Sequence, residues 1–296
     1  MQIQLYESNF FNKRGLNMKK VIINADDFGY STAVNLGIIN SFKKGVLTSA
    51  TLMANMPGRD EAIELAKENP SFGVGGHLVL TCGAPLYERS TLVKEDGNFF
   101  GLKEYKTNRS NMDEQEIFEE WSSQIDYLLE QGLELTHLDS HHHVHTFPEN
   151  QEITKKIAEK YQLCFRNAYG LEDQVTLPYQ KCITGFVDLM NHKHIRDLTT
   201  PLESNRKQCF EEIQSVLNQV ADEQITELMV HPAFVDEHLY FHSSFNIQRT
   251  REVALLCDPQ MKELFIQNKI ETCHYGDIRI PVSKKMKKKK IEVNNK

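Results

Sequence analysis

The chain has 296 residues, 40% of them hydrophobic and 25% charged, with a formal charge of −7. These values exclude a disordered, collagen-like or membrane-embedded class and leave room for one large core. The stretch 284–296 holds seven lysines against one glutamate, and that net +6 leaves −13 on the rest of the chain, which argues against nucleic acid as a partner.

Residues 1–17 are polar and charged without the apolar run of an export signal. Because Met18-Lys19-Lys20 directly precedes the first strong strand, 1–17 read as a disordered extension or a misassigned start. No later stretch reaches membrane-spanning length. The six cysteines, Cys82, Cys164, Cys182, Cys209, Cys257 and Cys273, lie without paired spacing and read as reduced thiols of a cytoplasmic protein. Residues 284–296 read as a lysine-rich, disordered end.

The first strand, 21–24, is short and β-branched, and it runs into Ala25-Asp26-Asp27-Phe28-Gly29, two adjacent carboxylates delivered into a glycine turn. A helix follows over 32–44, stopped by Gly45, then a strand over 47–55 before Pro57. A helix over 59–68 leads to a third strand, 72–80, carrying His77. Residues 81–111 form a long excursion of the kind that covers an active face. Ile117, Trp121, Ile125, Leu128 and Leu129 keep helical spacing over 113–131, and Gly132 ends that helix. Residues 133–138 alternate apolar and polar as in a half-buried strand. A helix over 149–161, a strand over 163–166 ending at Arg166-Asn167, a short strand near 182–187 and a helix around 188–197 come next. The remainder gives a helix over 202–220, a strand over 226–230 ending at His231-Pro232, a helix over 246–267 and a strand over 270–273.

Seven or eight strand–helix alternations without a linker or repeat predict an α/β fold: a parallel sheet with right-handed crossovers in a single domain, 18–283. Asp26 and Asp27, His141, Arg166 and His231 each fall at or just past the carboxyl end of a different strand, and His77 lies late in a fifth. Convergence from many strand ends selects a distorted TIM-like (β/α) barrel over an open sheet, which would gather such groups at one switch point.

Thr136-His137-Leu138-Asp139-Ser140-His141-His142-His143-Val144-His145 places five of the twelve histidines within ten residues. A tag would sit at a terminus, and a merely solvated loop is the plain alternative. A hydrolytic metal centre needs three protein ligands and an open position, and Asp27, His77 and His141 can supply that set. Asp26 is placed to act as general base, and His231, on another strand, to protonate a leaving group. Arg166 or a backbone amide can orient Asp26 or steady an oxyanion, and Asp139 can hydrogen-bond a ligand histidine. His143 and His145 are candidates for substrate contact or for supporting the ligands. Only one or two of His141, His142, His143 and His145 can face a metal, because successive residues of an extended segment point to opposite sides. His137 shares the phase of buried positions and reads as structural; His77 alone could equally be a core histidine. His192, His194, His238, His242 and His274 carry no supporting pattern. Asp27-Phe28-Gly29 spells a kinase magnesium motif, but the glycine-rich and catalytic loops of that fold are missing.

Together, Asn24-Ala25-Asp26-Asp27-Phe28-Gly29, Gly76-His77-Leu78-Val79-Leu80-Thr81, the histidine stretch and His231-Pro232 resemble the YdjC-like carbohydrate deacetylases, which include the chitin-disaccharide (chitooligosaccharide) deacetylases. The resemblance runs in matching order from about 20 to 273. It implies a distorted (β/α) barrel, a divalent metal, a homodimer, and removal of N-acetyl groups from amino sugars such as N-acetylglucosamine oligosaccharides of the chitobiose type. By matching position it implies Asp27, His77 and His141 as metal ligands, Asp26 as base and His231 as acid. A metal-activated water deprotonated by Asp26 would then attack the acetamide carbonyl, and His231 would protonate the departing amine. The family is described with magnesium, which the resemblance therefore puts first, whereas two imidazoles and a carboxylate suit zinc or another borderline metal better, so zinc stays open. Asp139-Ser140-His141-His142-His143 also resembles a multi-metal string, so a metal-dependent phosphoesterase or amidohydrolase-like barrel is the second expectation, marked by two metals about 3.5–4 Å apart. A non-catalytic metal- or sugar-binding regulator is the third.

Overall fold

The computed structural model describes residues 19–169, 184–221 and 225–278. Its strands are β1 (Lys19–Phe28), β2 (Ser49–Leu52), β3 (Gly73–Leu78), β4 (Leu138–Ser140), β5 (Thr184–Asp188), β6 (Ile225–Val230) and β7 (Ile270–Cys273). They form one seven-stranded sheet in the order β4-β3-β2-β1-β6-β5, with β7 also on β1, and every pairing is parallel. Strand β6 follows β1 through 20–25, so the opposite edge of β1 is divided, β7 taking 19–22 and β2 taking 24–28. Past β4, Leu138 bridges to Phe165, which brings Arg166 to the open end of the arc. The result is the distorted (β/α) barrel that the alternation predicts.

Strands such as Val21-Ile22-Ile23 and Leu228-Met229-Val230 are continuous apolar runs because both faces are covered. Helices α1 (Thr32–Lys44), α2 (Arg59–Glu68), α3 (Leu102–Asn108), α4 (Glu114–Glu130) and α5 (Gln151–Tyr161) lie along the first part of the chain. Trp121, Ile125 and Leu128 of α4 are buried in the main core with Leu78 and Leu138, and each such side chain contributes roughly 1.5–3 kcal/mol of transfer free energy. The second part carries α6 (Lys193–Arg196), α7 (Leu202–Gln219), α8 (Glu237–His242), α9 (Gln248–Leu256), α10 (Pro259–Gln267) and α11 (Tyr275–Ile278).

Several sequence expectations change. The alternating run 133–138 reaches the ladder only at Leu138; before it, the Thr136 amide bonds singly to Val74 O at 2.8 Å. The strand expected over 163–166 makes a single bridge. The helix expected around 188–197 is confined to Lys193–Arg196. The helix over 246–267 is two, because Pro259 cannot continue α9; Asp258 caps α10 by accepting the Gln260 N–H at 2.9 Å. The excursion 81–111 is partly helical, since it contains α3. The segments 1–17 and 284–296 fall outside the described residues, as does Cys182. The other five cysteines form no disulfide with one another. Among the described residues no helix is long and apolar enough to cross a membrane.

Helix α1 docks on the loop that leaves β6. The Phe234 amide donates to Ala33 O at 3.1 Å, and a Cβ at Gly37 would stand 2.4 Å from Ala233 Cα. That neighbour is backbone and cannot rotate away. Gly37→Ala is therefore expected to cost about 1–3 kcal/mol of stability. A urea midpoint equal to the parent's would show that the contact relaxes freely.

Candidate functional site

Between the pairs Ala25↔Ala50 and Phe28↔Leu52, β1 spends one residue more than β2. The extra residue is a bulge at Asp26-Asp27, with Asp27 in the left-handed region at φ 69. Aspartate tolerates that backbone better than most residues. In a regular strand the two side chains would face opposite sides of the sheet. Here both carboxylates are buried on the site side, Asp26 against Arg166 and Asp27 against His77, His141 and Arg249. The turn is braced from α1, where Asn35 Oδ1 accepts the Gly29 N–H at 2.8 Å.

His77 and His141 converge on one oxygen of Asp27. His77 Nε2 lies 3.3 Å and His141 Nδ1 2.9 Å from Asp27 Oδ1, and the three residues offer donor atoms all within 4.8 Å of one another. The far side of His77 is fixed: its Nδ1 lies 2.6 Å from Asp139 Oδ1 and 3.1 Å from Thr51 Oγ1. Its Nε2, turned towards Asp27, is buried and without a hydrogen-bond partner among the described residues. Burial works against charge on His77, yet Asp139, Asp27 and Asp26 raise its pKa to about 9. Burial likewise opposes ionisation of Asp27, but Arg249 and His141 hold it well below the ordinary carboxylate range. Such a set of acceptor atoms around one oxygen is suited to a cation.

A second grouping, Asp26, His77 and Asp139, also lies within 4.8 Å, but a cation already serves it. Arg166 is fully buried and reaches Asp26 Oδ1 at 2.5 Å, Asp26 Oδ2 at 2.7 Å, Asp139 Oδ2 at 2.8 Å and Glu227 Oε1 at 2.7 Å. The Asp26 contact is bidentate, the strong form of this interaction. Burial raises the cost of charge on Asp26, and Arg166 more than offsets it, so the carboxylate is ionised below its usual range. Glu227 goes the other way: burial lifts its pKa, and its second oxygen accepts the Tyr275 hydroxyl. Arg166 thus orients Asp26; its donors are committed to carboxylates rather than to an oxyanion.

The histidine run is a tight turn, His141–Thr146, in which His142 (φ 56) and His143 (φ 54) are both left-handed. The opposite-sides expectation applied to an extended segment; the turn instead sends three rings three ways. His141 meets Asp27, the His142 Nδ1 pairs with Thr81 Oγ1 at 2.9 Å, and the His143 ring packs against Tyr169 and Phe186 at 5.0 and 5.7 Å. His145, expected either at the substrate or in support, is fully buried between Ser140 Oγ (2.7 Å) and the Arg166 carbonyl (3.0 Å), where it ties the turn to the segment that positions Arg166. His137 is structural as expected, stacked on Tyr275 at 3.8 Å.

His231 enters from β6. Its Nε2 stands 3.9 Å from Asp26 Oδ2, beyond a hydrogen bond, and burial pushes its pKa down. Two residues that sequence reasoning missed stand behind the site on α9. Arg249 donates to Asp27 Oδ2 at 2.7 Å, and Glu252 accepts the His231 backbone N–H at 2.5 Å. The signal was present: Arg249, Glu252 and Leu256 occupy one helical stripe, and charged residues in a buried phase are out of place unless partnered.

Residues 20–267 match the family described as YdjC-like protein. The chain belongs to that family. It is 37% identical over 262 residues to a carbohydrate deacetylase of Brevibacillus brevis, covering 88% of this chain and 99% of the relative. A carbohydrate deacetylase of Geobacillus stearothermophilus is 37% identical over 256 residues, 86% of this chain and 96% of its own. A solved structure from Enterococcus faecalis, of a protein proposed to cleave cellobiose phosphate, superposes with a TM-score of 0.75 at 30% identity over 89% of this chain and all of the other. The family that the motifs resembled is thus the one found.

Two measurements probe this YdjC-like interior. Arg166→Met leaves three carboxylates without their shared cation and is expected to lower unfolding free energy by about 3–5 kcal/mol; a loss below 1 kcal/mol would show that the cluster does not depend on it. Burial lowers the pKa of His145 to about 4 from 6.5. Its unfolded form therefore binds a proton that the folded form refuses between those values, so stability falls as pH drops from 6.5 towards 4. His145→Gln should flatten that slope by up to about 1.4 kcal/mol per pH unit, read from urea midpoints with chelator present. An unchanged slope would show that His145 is not held neutral.

Proposed function

We propose that the chain is a metal-dependent carbohydrate deacetylase that hydrolyses the N-acetyl group of an amino sugar, with N-acetylglucosamine oligosaccharides of the chitobiose type as substrates. The observation that carries this reading is the convergence of Asp27, His77 and His141 on a single oxygen, with Asp26 and His231 alongside. The buried Nε2 of His77, without a hydrogen-bond partner among the described residues, fits a metal donor, and the Nδ1 contact with Asp139 supports it, since ligand histidines usually donate their other N–H to a carboxylate. Asp27, His77 and His141 would hold the ion. Once bound there, a divalent cation would polarise the acetamide carbonyl and lower the pKa of water. The two-imidazole, one-carboxylate set favours zinc or a similar borderline ion, and magnesium is the rival.

The remaining steps belong to the chain. Asp26, ionised by Arg166, takes a proton from water as the water oxygen attacks the carbonyl carbon. His231 gives its Nε2 proton to the amide nitrogen as the C–N bond breaks, and acetate and a free amine leave. The guanidinium between Asp26 and Asp139 disfavours a second cation there, which supports a single-metal hydrolase over a two-metal phosphoesterase.

The test is acetate release from N-acetylglucosamine oligomers by protein stripped with chelator and reloaded with zinc or magnesium. Activity that disappears on stripping and returns with one ion is expected. Absence of acetate from any N-acetylated sugar with either ion would sink the proposal. Asp26→Asn should lower kcat about 10²- to 10⁴-fold while metal content by mass spectrometry is unchanged; retained turnover would remove Asp26 from the base role.

A further inference from the structure

The mechanism above uses the Nε2 side of His231 and leaves the other side of the ring unexplained. His231 Nδ1 is buried and has no hydrogen-bond partner among the described residues. On α9, Glu252 is 1% exposed, and one of its oxygens, Oε2, accepts the His231 backbone N–H at 2.5 Å. Its other oxygen, Oε1, is also buried without a partner. An unmatched acceptor and a ring nitrogen able to donate therefore sit on two residues already joined by one hydrogen bond. A buried polar group left unpaired carries its full desolvation penalty, and one shared bond, direct or through a water, removes both.

We infer that Glu252 is the positioning residue of His231, its carboxylate holding the backbone N–H with one oxygen and the ring Nδ1–H with the other, so that the neutral ring keeps its proton on Nδ1 and a second, transferable proton is taken up and given at Nε2. This rests on the reading of His231 as the acid. The charged groups around the pair are Asp26 and Asp27 from β1, Asp188 from β5, Arg196 from α6 and Arg249 from α9 itself. Arg249 is the competitor: it lies three residues before Glu252, and its Nη1 is also buried without a partner. Burial lifts the Glu252 pKa to about 7, against the His231 backbone N–H, Arg196 and Arg249, which favour its charge. Arg249 facing Asp27 and Glu252 facing His231 would make one helix support both halves of the site.

The experiment is nitrogen-15 NMR of histidine-labelled protein, His231 being assigned by its loss in His231→Asn. In the parent at pH 8 the proton of His231 is expected on Nδ1; a ring protonated only on Nε2 overturns the inference, with or without a foldable variant. In E252Q, which keeps an acceptor for the backbone N–H, the tautomer should redistribute towards Nε2–H and the His231 pKa should fall by a unit or more. An unchanged tautomer and pKa would assign the carboxylate to Arg249 instead. In kinetics, E252Q should lower kcat for an N-acetyl sugar 10- to 100-fold at constant KM, while p-nitrophenyl acetate, whose leaving group needs no proton, should change less than twofold. Parallel losses on both substrates would mark Glu252 as merely structural. If the parent releases no acetate from N-acetyl sugars, the deacetylase reading fails, whereas the NMR still decides whether Glu252 holds His231.

Discussion

One buried guanidinium organises the interior of this barrel. Arg166 comes from the segment beyond β4, yet its partners are Asp26 on β1, Asp139 on β4 and Glu227 on β6. Among the described residues backbone pairing runs from the Phe165 bridge through β4 round to β5, and this ion cluster ties the Phe165 side across the interior to β1 and β6. Removing such charges from water is expensive, and a cluster of this kind holds only when its lone pairs and protons are matched. The matching is nearly complete: Thr51 serves Asp139, Tyr275 serves Glu227, and the Arg166 carbonyl is pinned by His145. The cluster therefore sets the position of Asp26 and, through Asp139, the orientation of His77.

The candidate site is braced in consequence. Asp27, His77, His141 and His231 gather with Asp26, and each of three supporting groups holds one of them: Asp139 holds His77, Arg166 holds Asp26 and Arg249 holds Asp27. Four carboxylates meet two guanidiniums here: Asp26, Asp139 and Glu227 face Arg166, and Asp27 faces Arg249. Asp27 and Asp139 hold the imidazole of His77 from its two sides.

Much of this was legible in the residues. The strand–helix alternation gave the barrel, and α2 and β7 lie where spacing put them, because amphipathic period and turn residues are local signals. The candidates Asp26, Asp27, His77, His141, Arg166 and His231 do come together. What was not legible depends on distant partners. The run 133–138 alternates as a strand should, yet whether it joins the ladder depends on where β3 lies, and pairing begins only at Leu138. The histidines were read as an extended segment, and nothing local announced two consecutive left-handed residues. For His145 the sequence leaves substrate contact and a supporting role both open, because it does not show that Ser140 and the Arg166 carbonyl enclose it. Arg249 and Glu252 were hidden in an amphipathic helix, visible only as charges in the wrong phase.

The bulge in β1 has a consequence for redesign of the site. Asp27 combines a side-chain role with a backbone conformation that few residues accept, so the two requirements cannot be varied separately. Asparagine and glycine would keep the left-handed turn but surrender the charge. Glutamate or histidine would keep a donor atom but oppose the turn, and the bulge would tend to slip back into register with β2. Such a slip would move Asp26 to the other face of the sheet, away from Arg166. Exchanging the carboxylate donor at this position is thus coupled to strand register, which makes His77 and His141 the freer positions at which to alter the donor set.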